Sequence, residues 1–171
     1  MLNLLQFRNY ILNPTLKAIG KYSPVAEELL IGTGLIESGF RHIKQLGYEL
    51  KGGNGIFQVE TATGAWICKD YLTHPGRVEL ARKISKYLWP FAEYPIDITL
   101  LDEDDVKNLL TSDLRFSVIL ARLKYYSIPK ALPSDPKNIE ALAEYWKTYY
   151  NASPNGRPAK DFVSLYKEHV E

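Results

Sequence analysis

The segment from Ser23 to Gly39 restricts this chain more than any other. Ser23-Pro24 has the form of a helix start, a serine N-cap with proline at the first helical position, where its missing N–H is not needed. Val25 to Ile36 is then almost wholly apolar apart from Glu27 and Glu28 in the first turn. A helix that is apolar through Leu29, Leu30, Ile31, Leu35 and Ile36 expects burial on all sides, so the remaining elements must wrap it. Gly39 suits the left-handed C′ position and should stop the helix at about Glu37-Ser38. Glu37 then meets the negative end of the helix dipole beside an apolar interior. Both disfavour its charged form, and the expectation is a raised pKa, as a general acid working near neutral pH requires. A solvated helix-end glutamate is the ordinary alternative.

The residues after the helix weigh on that choice. Phe40, Arg41, His42 and Gln45 precede the run Lys51-Gly52-Gly53-Asn54-Gly55-Ile56-Phe57-Gln58-Val59-Glu60. Glycines around one asparagine let the backbone approach something closely or take positive φ, and a short apolar pair then delivers Gln58. Read plainly, the run is a hairpin or loop turn with Gln58 as a routine polar residue.

Glu37-Ser38-Gly39-Phe40, followed by Gly55-Ile56-Phe57-Gln58-Val59, resembles the E-S-x-F and G-L-M-Q-V motifs of the soluble lytic transglycosylase branch of the lysozyme-like superfamily. The stretch from Leu30 to Phe40, with Gln45-Leu46-Gly47, Gly55 to Glu60 and the later Trp146-Lys147-Thr148-Tyr149-Tyr150-Asn151, is similar to a phage-encoded group of that superfamily. Each motif is short; their order, spacing and helix context together are fairly specific. The resemblance implies a mainly α, lysozyme-like α+β single domain over residues 1–171, and cleavage of the MurNAc-GlcNAc bond of peptidoglycan. Glu37 would act first as acid and then as base, with the substrate's N-acetyl group assisting and an intramolecular hydroxyl replacing water, which leaves a 1,6-anhydromuramoyl end. Ser38 would hydrogen-bond Glu37 or the acetamido group, and Phe40, Gln58, Tyr145, Tyr150 and Asn151 complete the substrate-binding set. For the tyrosine that faces the acid, Tyr150-Asn151-Ala152 matches the family's Y-N-A-G ending and Tyr145-Trp146 its helical register; Tyr150 is preferred. Phe57 in place of methionine, and Ser153 where that ending has glycine, depart from the pattern. Glycosidic cleavage ordinarily needs a second carboxylate; Glu49, Glu60 and Asp70 are near in sequence, and none matches a family position.

Length and composition bound the rest. The 171 residues suit one domain, and a content 46% apolar and 12% aromatic is ample for a core. Lys and Arg number 21 against 20 Asp and Glu, for a net charge of +1, with the basic residues scattered along the sequence, so nothing suggests a nucleic-acid partner. The single cysteine, Cys68, excludes an internal disulfide framework and is expected to pack as a small apolar residue. His42, His74 and His169 show no ligand spacing, so neither a metal nor another cofactor is implied. Met1 to Ile19 lacks the pattern of a secretory leader, and no run is long enough to span a membrane. The sequence therefore reads as a protein made in the host cytoplasm, reaching the bacterial cell wall through lysis, a partner secretion device or incorporation in a virus particle.

Helix signals dominate elsewhere. Leu2 to Leu12 and Thr15 to Ile19 read as short helices parted by Asn13-Pro14. Thr61 to Leu72 follows, with Ala62, Ala65, Trp66 and Ile67 toward the core, then Arg77 to Leu88, with Val78, Leu80, Ala81, Ile84, Tyr87 and Leu88 at helical spacing. Trp89 to Leu101 has no period and reads as an ordered loop packed by its own side chains. Asp102 to Asp105 suits a helix N-terminus better than a metal loop. Thr111 or Ser112 caps a central helix, Asp113 to Ser127, whose Arg115 and Arg122 would need acidic partners if buried. Pro136 to about Asn151 buries Ile139, Leu142, Ala143, Trp146 and Tyr150, and Asp161 to Val170 closes the chain. About eight helices result, with at most a short hairpin near Tyr48 to Val59.

Two readings from other classes compete with the enzyme. The near-neutral charge is compatible with a virion structural protein that keeps the fold as a scaffold among other virion proteins. A noncatalytic glycan-binding module would keep aromatic side chains along a groove and need no perturbed acid.

Overall fold

A computed structural model describes residues 1–47 and 52–170. The described residues are mainly helical, with one small antiparallel hairpin among them. It runs α1 (Leu4–Phe7), α2 (Asn13–Ala18), α3 (Pro24–Ser38), β1 (Gly53–Asn54), β2 (Val59–Glu60), α4 (Thr61–Trp66), α5 (Val78–Leu88), α6 (Glu103–Ser112), α7 (Leu114–Tyr126), α8 (Ile139–Tyr149) and α9 (Ala159–Val170). In the hairpin Gly53 faces Glu60 and Asn54 faces Val59. Tyr48 to Lys51, and with them Glu49 and part of the expected hairpin, lie outside the described residues.

The central helix α3 begins and ends as its sequence requires. Ser23 accepts a hydrogen bond from the Ala26 N–H, Pro24 follows, and Gly39 takes the left-handed conformation at φ 60°. Every residue from Val25 to Ile36 except Glu28 is buried. Helices α7, α8 and α9 pack around it. Two small positions allow close approach: the ring of Phe162 lies over Gly32 and that of Phe40 over Gly34, each where a Cβ would stand.

Several boundaries differ from the sequence reading. Asn13-Pro14 does not separate two helices. A widened turn over Arg8–Leu12, closed by the Asn13 N–H on the Arg8 carbonyl, carries α1 into α2. Such a turn accommodates the proline ring and its missing N–H inside a helical run. Helix α4 turns Gly64 and Ala65 inward, so Ala62 and Trp66 are exposed, and a second widened turn, Ile67–Tyr71, follows it with Ile67, Cys68 and Tyr71 buried. Val78 is exposed and Leu80 and Tyr87 only half-buried, leaving Ala81, Ile84 and Leu88 as the inner stripe of α5. The 89–101 loop is not packed by its own aromatic side chains: Phe91 is 100% and Tyr94 82% exposed, and Ile98 and Leu101 anchor it.

Asp102 to Asp105 forms a capping box, the Asp105 N–H on Asp102 Oδ1 at 2.8 Å and the Asp102 N–H on Asp105 Oδ2 at 3.2 Å. Helix α6 continues through Thr111 and Ser112, so Asp113 is the cap of α7. Helix α8 starts at Ile139, capped by Asn138, rather than at Pro136. Arg115 pairs with Asp113 at 2.7 Å, whereas buried Arg122 donates to the Lys21 carbonyl at 3.1 Å and lies over the Tyr126 ring instead of meeting an acid.

The first turn of α3 is tied to both chain ends. Arg8 donates to Glu27 at 2.6 Å and also bonds Glu28, Asn13 and Tyr22 donate to Glu27, and the Tyr166 hydroxyl of α9 donates to Glu28. Although burial works against it, hydrogen bonds from Asn13, Tyr22 and Arg8 hold the Glu27 carboxyl below its ordinary value of 4.5. A carboxyl lowered in this way adds stability that is complete above the unfolded value and is lost as the pH falls through the folded one. Glu27→Gln is therefore expected to lose about 1.5–3 kcal/mol at neutral pH. In urea titrations the gap from wild type should narrow as the pH falls below 4.5; a gap constant with pH would rule out the charged network as its source.

Candidate active site

The Glu37-Ser38-Gly39-Phe40 segment divides its tasks. Gly39 and Phe40 both adopt positive φ, 60° and 51°. That conformation is unfavourable for phenylalanine, and it is held because the ring is buried on Phe7 and Phe57 beside Gly34. Phe40 is thus a core residue and does not reach the cleft. Ser38 is committed as well: its hydroxyl donates to the Ile56 carbonyl at 2.7 Å and accepts from the Phe40 N–H at 3.1 Å. These bonds fasten the end of α3 to the hairpin turn in place of the expected bond to Glu37. Glu37 alone presents its functional group to the cleft.

The hairpin turn supplies the opposing wall. Gly55, at φ +70°, wedges against the Leu110 carbonyl, and its own carbonyl accepts both the backbone N–H (3.0 Å) and the side-chain amide (2.7 Å) of Gln58. Gln58 has positive φ, 49°, an uncommon conformation for a non-glycine residue. Among the described residues its Oε1 is buried without a hydrogen-bond partner. Ile56, Phe57 and Val59 fill the core behind it.

Helix α8 holds the acid. Ile139, Leu142, Ala143 and Trp146 form its inner face, and the fully buried indole of Trp146 packs against Phe162. A buried indole N–H needs an acceptor. Trp146 Nε1 donates to Glu37 Oε1 at 3.0 Å. Tyr150, on the same side of the helix one turn later, does not orient the acid; its hydroxyl donates to the Phe57 carbonyl at 2.8 Å. Tyr145 stands one position before Trp146, about 100° round the helix, and donates to the Lys130 carbonyl outside the cleft.

Two hollows meet at Glu37, Gln45 and Gln58. The smaller, of about 390 Å³, includes Glu60, Lys124, Tyr150 and Asn151 in its walls. The larger, of about 550 Å³, runs past Ser38, Arg41, Lys44 and Arg157 toward the end of α9. The structure thus brings together Glu37, Gln58, Tyr150 and Asn151 and leaves out Phe40 and Tyr145. It adds Trp146, Lys124 and Arg157, which sequence reasoning did not assign. Only Trp146 left a signal, as an indole on the inner face of a helix with its N–H still to be satisfied. A mostly apolar hollow of about 800 Å³ between α5 and the 89–99 loop lies apart from all of these.

Glu37 keeps part of its surface in the cleft yet sits deep among protein atoms. Burial raises its pKa, opposed by the Trp146 N–H and by the charges of Lys124 and Arg157. Arg157 also caps α3 through the Ile36 carbonyl at 3.0 Å. Lys124 donates to the Tyr150 carbonyl at 3.1 Å and lies over that ring; burial lowers its pKa, opposed by Glu37 and Glu60. The site can hold a proton on a fixed carboxyl oxygen and stabilise the carboxylate left after the proton departs.

Trp146→Phe removes the bond that favours the carboxylate, so the pKa of Glu37 should rise further. In an activity that needs protonated Glu37, the alkaline limb of the pH profile moves to higher pH, and the rate falls about tenfold with the loss of one hydrogen bond. A limb that stayed in place or moved down would show that the indole does not set the acid's proton affinity.

Among the described residues no helix is long and apolar enough to cross a membrane. Comparison with family models, with curated proteins and with solved structures gives no match to the chain.

Proposed function

We propose that this protein cleaves the MurNAc-GlcNAc bond of peptidoglycan as a lytic transglycosylase or lysozyme-like muramidase, with Glu37 as the acid and base. One observation carries the reading: a carboxyl whose pKa burial raises, fixed by an indole N–H, stands where two arms of an open cleft meet. Protonated Glu37 would give its proton to the glycosidic oxygen as the C1–O bond breaks, with the substrate's N-acetyl group supporting C1. The carboxylate would then take the proton of the sugar's 6-hydroxyl as that oxygen bonds C1, closing the anhydro ring. Lys124 and Arg157 favour the intermediate carboxylate, and Gln58, Tyr150 and Asn151 line the path of the sugars.

The deciding experiment is digestion of purified peptidoglycan by wild type and Glu37→Gln, with mass spectrometry of the released muropeptides. Anhydro ends from wild type alone are expected. Reducing ends would mean that water attacks, and Glu60, which shares the smaller arm with Glu37, would be tested as the second carboxylate. A folded wild type releasing no more than the variant would end the enzyme reading. That outcome would favour a virion scaffold without turnover, to which the exposed Phe91, Tyr94 and Leu100 offer an apolar contact surface.

A further inference from the structure

Resting on the glycan reading, we infer that the larger arm of the cleft is a subsite for carboxylates, so that the preferred substrate is a strand still carrying its stem peptides. The chain is almost neutral, at +1, and its basic residues are scattered in sequence. Folding nevertheless gathers Arg41, Lys44 and Arg157 in one arm, with His42 and His169 beside them and Glu168 as the acid other than Glu37 among the described residues there. The smaller arm sets one lysine, Lys124, against Glu60. A strand of N-acetylglucosamine alone gives such cations nothing anionic to bind, and a strand stripped of its peptides offers one lactyl carboxylate per muramic acid. A stem peptide is joined to the muramic acid through its lactyl ether and carries several carboxylates, so it would lie beside the strand and next to the acid.

The three cations retain donors for such a ligand. Arg41 is exposed, and among the described residues only its backbone N–H is engaged, on the Ser38 carbonyl at 3.1 Å, so its guanidinium keeps its donors. Lys44 gives one proton to the neutral Asn54 amide oxygen at 2.6 Å, leaving two. Arg157 uses Nη1 on the Ile36 carbonyl and Nε on Asp161, leaving Nη2. They come from two segments distant in sequence, the turn after α3 and the approach to α9, so an anion in the arm can be met from both. Guanidinium and ammonium donors to carboxylate are the stronger kind of hydrogen bond, and two arginines favour paired contacts.

The test uses the Glu37→Gln protein, so that binding is read without turnover, and two probes: a stem-peptide-bearing tetrasaccharide of alternating GlcNAc and MurNAc, and uncharged tetra-N-acetylchitotetraose. Calorimetry at low salt should show the peptide-bearing probe bound about tenfold more tightly, an advantage that shrinks as added salt screens the charges. Adding Arg41→Glu and Lys44→Gln should cut that ratio to about twofold or less, with circular dichroism confirming the fold. Equal binding of both probes, or a ratio untouched by these substitutions, would overturn the carboxylate subsite while leaving the glycan reading in place. Binding of neither probe would overturn the glycan reading and this inference with it.

Discussion

Glu37→Gln is expected to lower glycan cleavage by roughly 10²–10⁴-fold, the span over which general acid-base catalysis acts, and also to make the protein harder to unfold at neutral pH. The amide oxygen still accepts the Trp146 N–H, so the packing around α3 and α8 stays. What disappears is a carboxyl that burial holds above its ordinary value of 4.5. A group whose pKa is higher folded than unfolded binds its proton more tightly in the folded state. Its contribution to stability is complete below the unfolded value and is lost as the pH rises through the folded one. As the pH rises wild type comes to bear the unfavourable carboxylate, and the variant never does. Thermal unfolding should place the variant higher at neutral pH, and the two proteins should converge near pH 4. A variant less stable than wild type at neutral pH would mean that Glu37 is not desolvated as its surroundings indicate. The paired signs, activity down and stability up, also separate a site residue from a structural one, whose loss lowers both.

Gly55→Ala should be the more damaging change to the fold. At φ +70° any other residue is strained by about 1–2 kcal/mol. A Cβ there would also stand 2.4 Å from the Leu110 carbonyl oxygen and 2.6 Å from Ser117 Oγ. The first of these is backbone at the end of α6 and cannot swing aside, and forced overpacking adds about 1–3 kcal/mol. The sum of roughly 2–5 kcal/mol corresponds to a fall in Tm of about 5–15 °C for a chain of this size. The same turn holds Gln58 through two bonds to the Gly55 carbonyl and presents the Ile56 carbonyl to Ser38. Cleavage should therefore drop even at temperatures where the variant stays folded. A Tm within about 2 °C of wild type would show that the turn relaxes without disturbing α6.

The two substitutions probe different kinds of information in the chain. The bounds of α3 follow from Ser23, Pro24 and Gly39 because caps and φ preferences act within a few residues. The buried stripe of α8, Ile139, Leu142, Ala143 and Trp146, follows from helical period in the same way, as does the acidic start of α6. Local rules yielded where they met a tertiary demand: Pro14 stayed inside a helical run because a widened turn accommodated it, and α4 packed through Gly64 and Ala65, which left Trp66 at the surface.

The mainly α class, the end of the buried helix at Glu37 and the near-zero charge were thus determined by the sequence itself, through contacts and torsions close along the chain. Periodicity says which face of a helix is buried but not which atom of a distant element it meets. Only the tertiary structure could give Glu37 the indole of a residue 109 positions away, turn the Ser38 hydroxyl from substrate to the Ile56 carbonyl, and set Phe40 in the core. It also converted scattered basic residues into one cationic arm, because charges far apart in sequence become neighbours only when the helices that carry them close around α3.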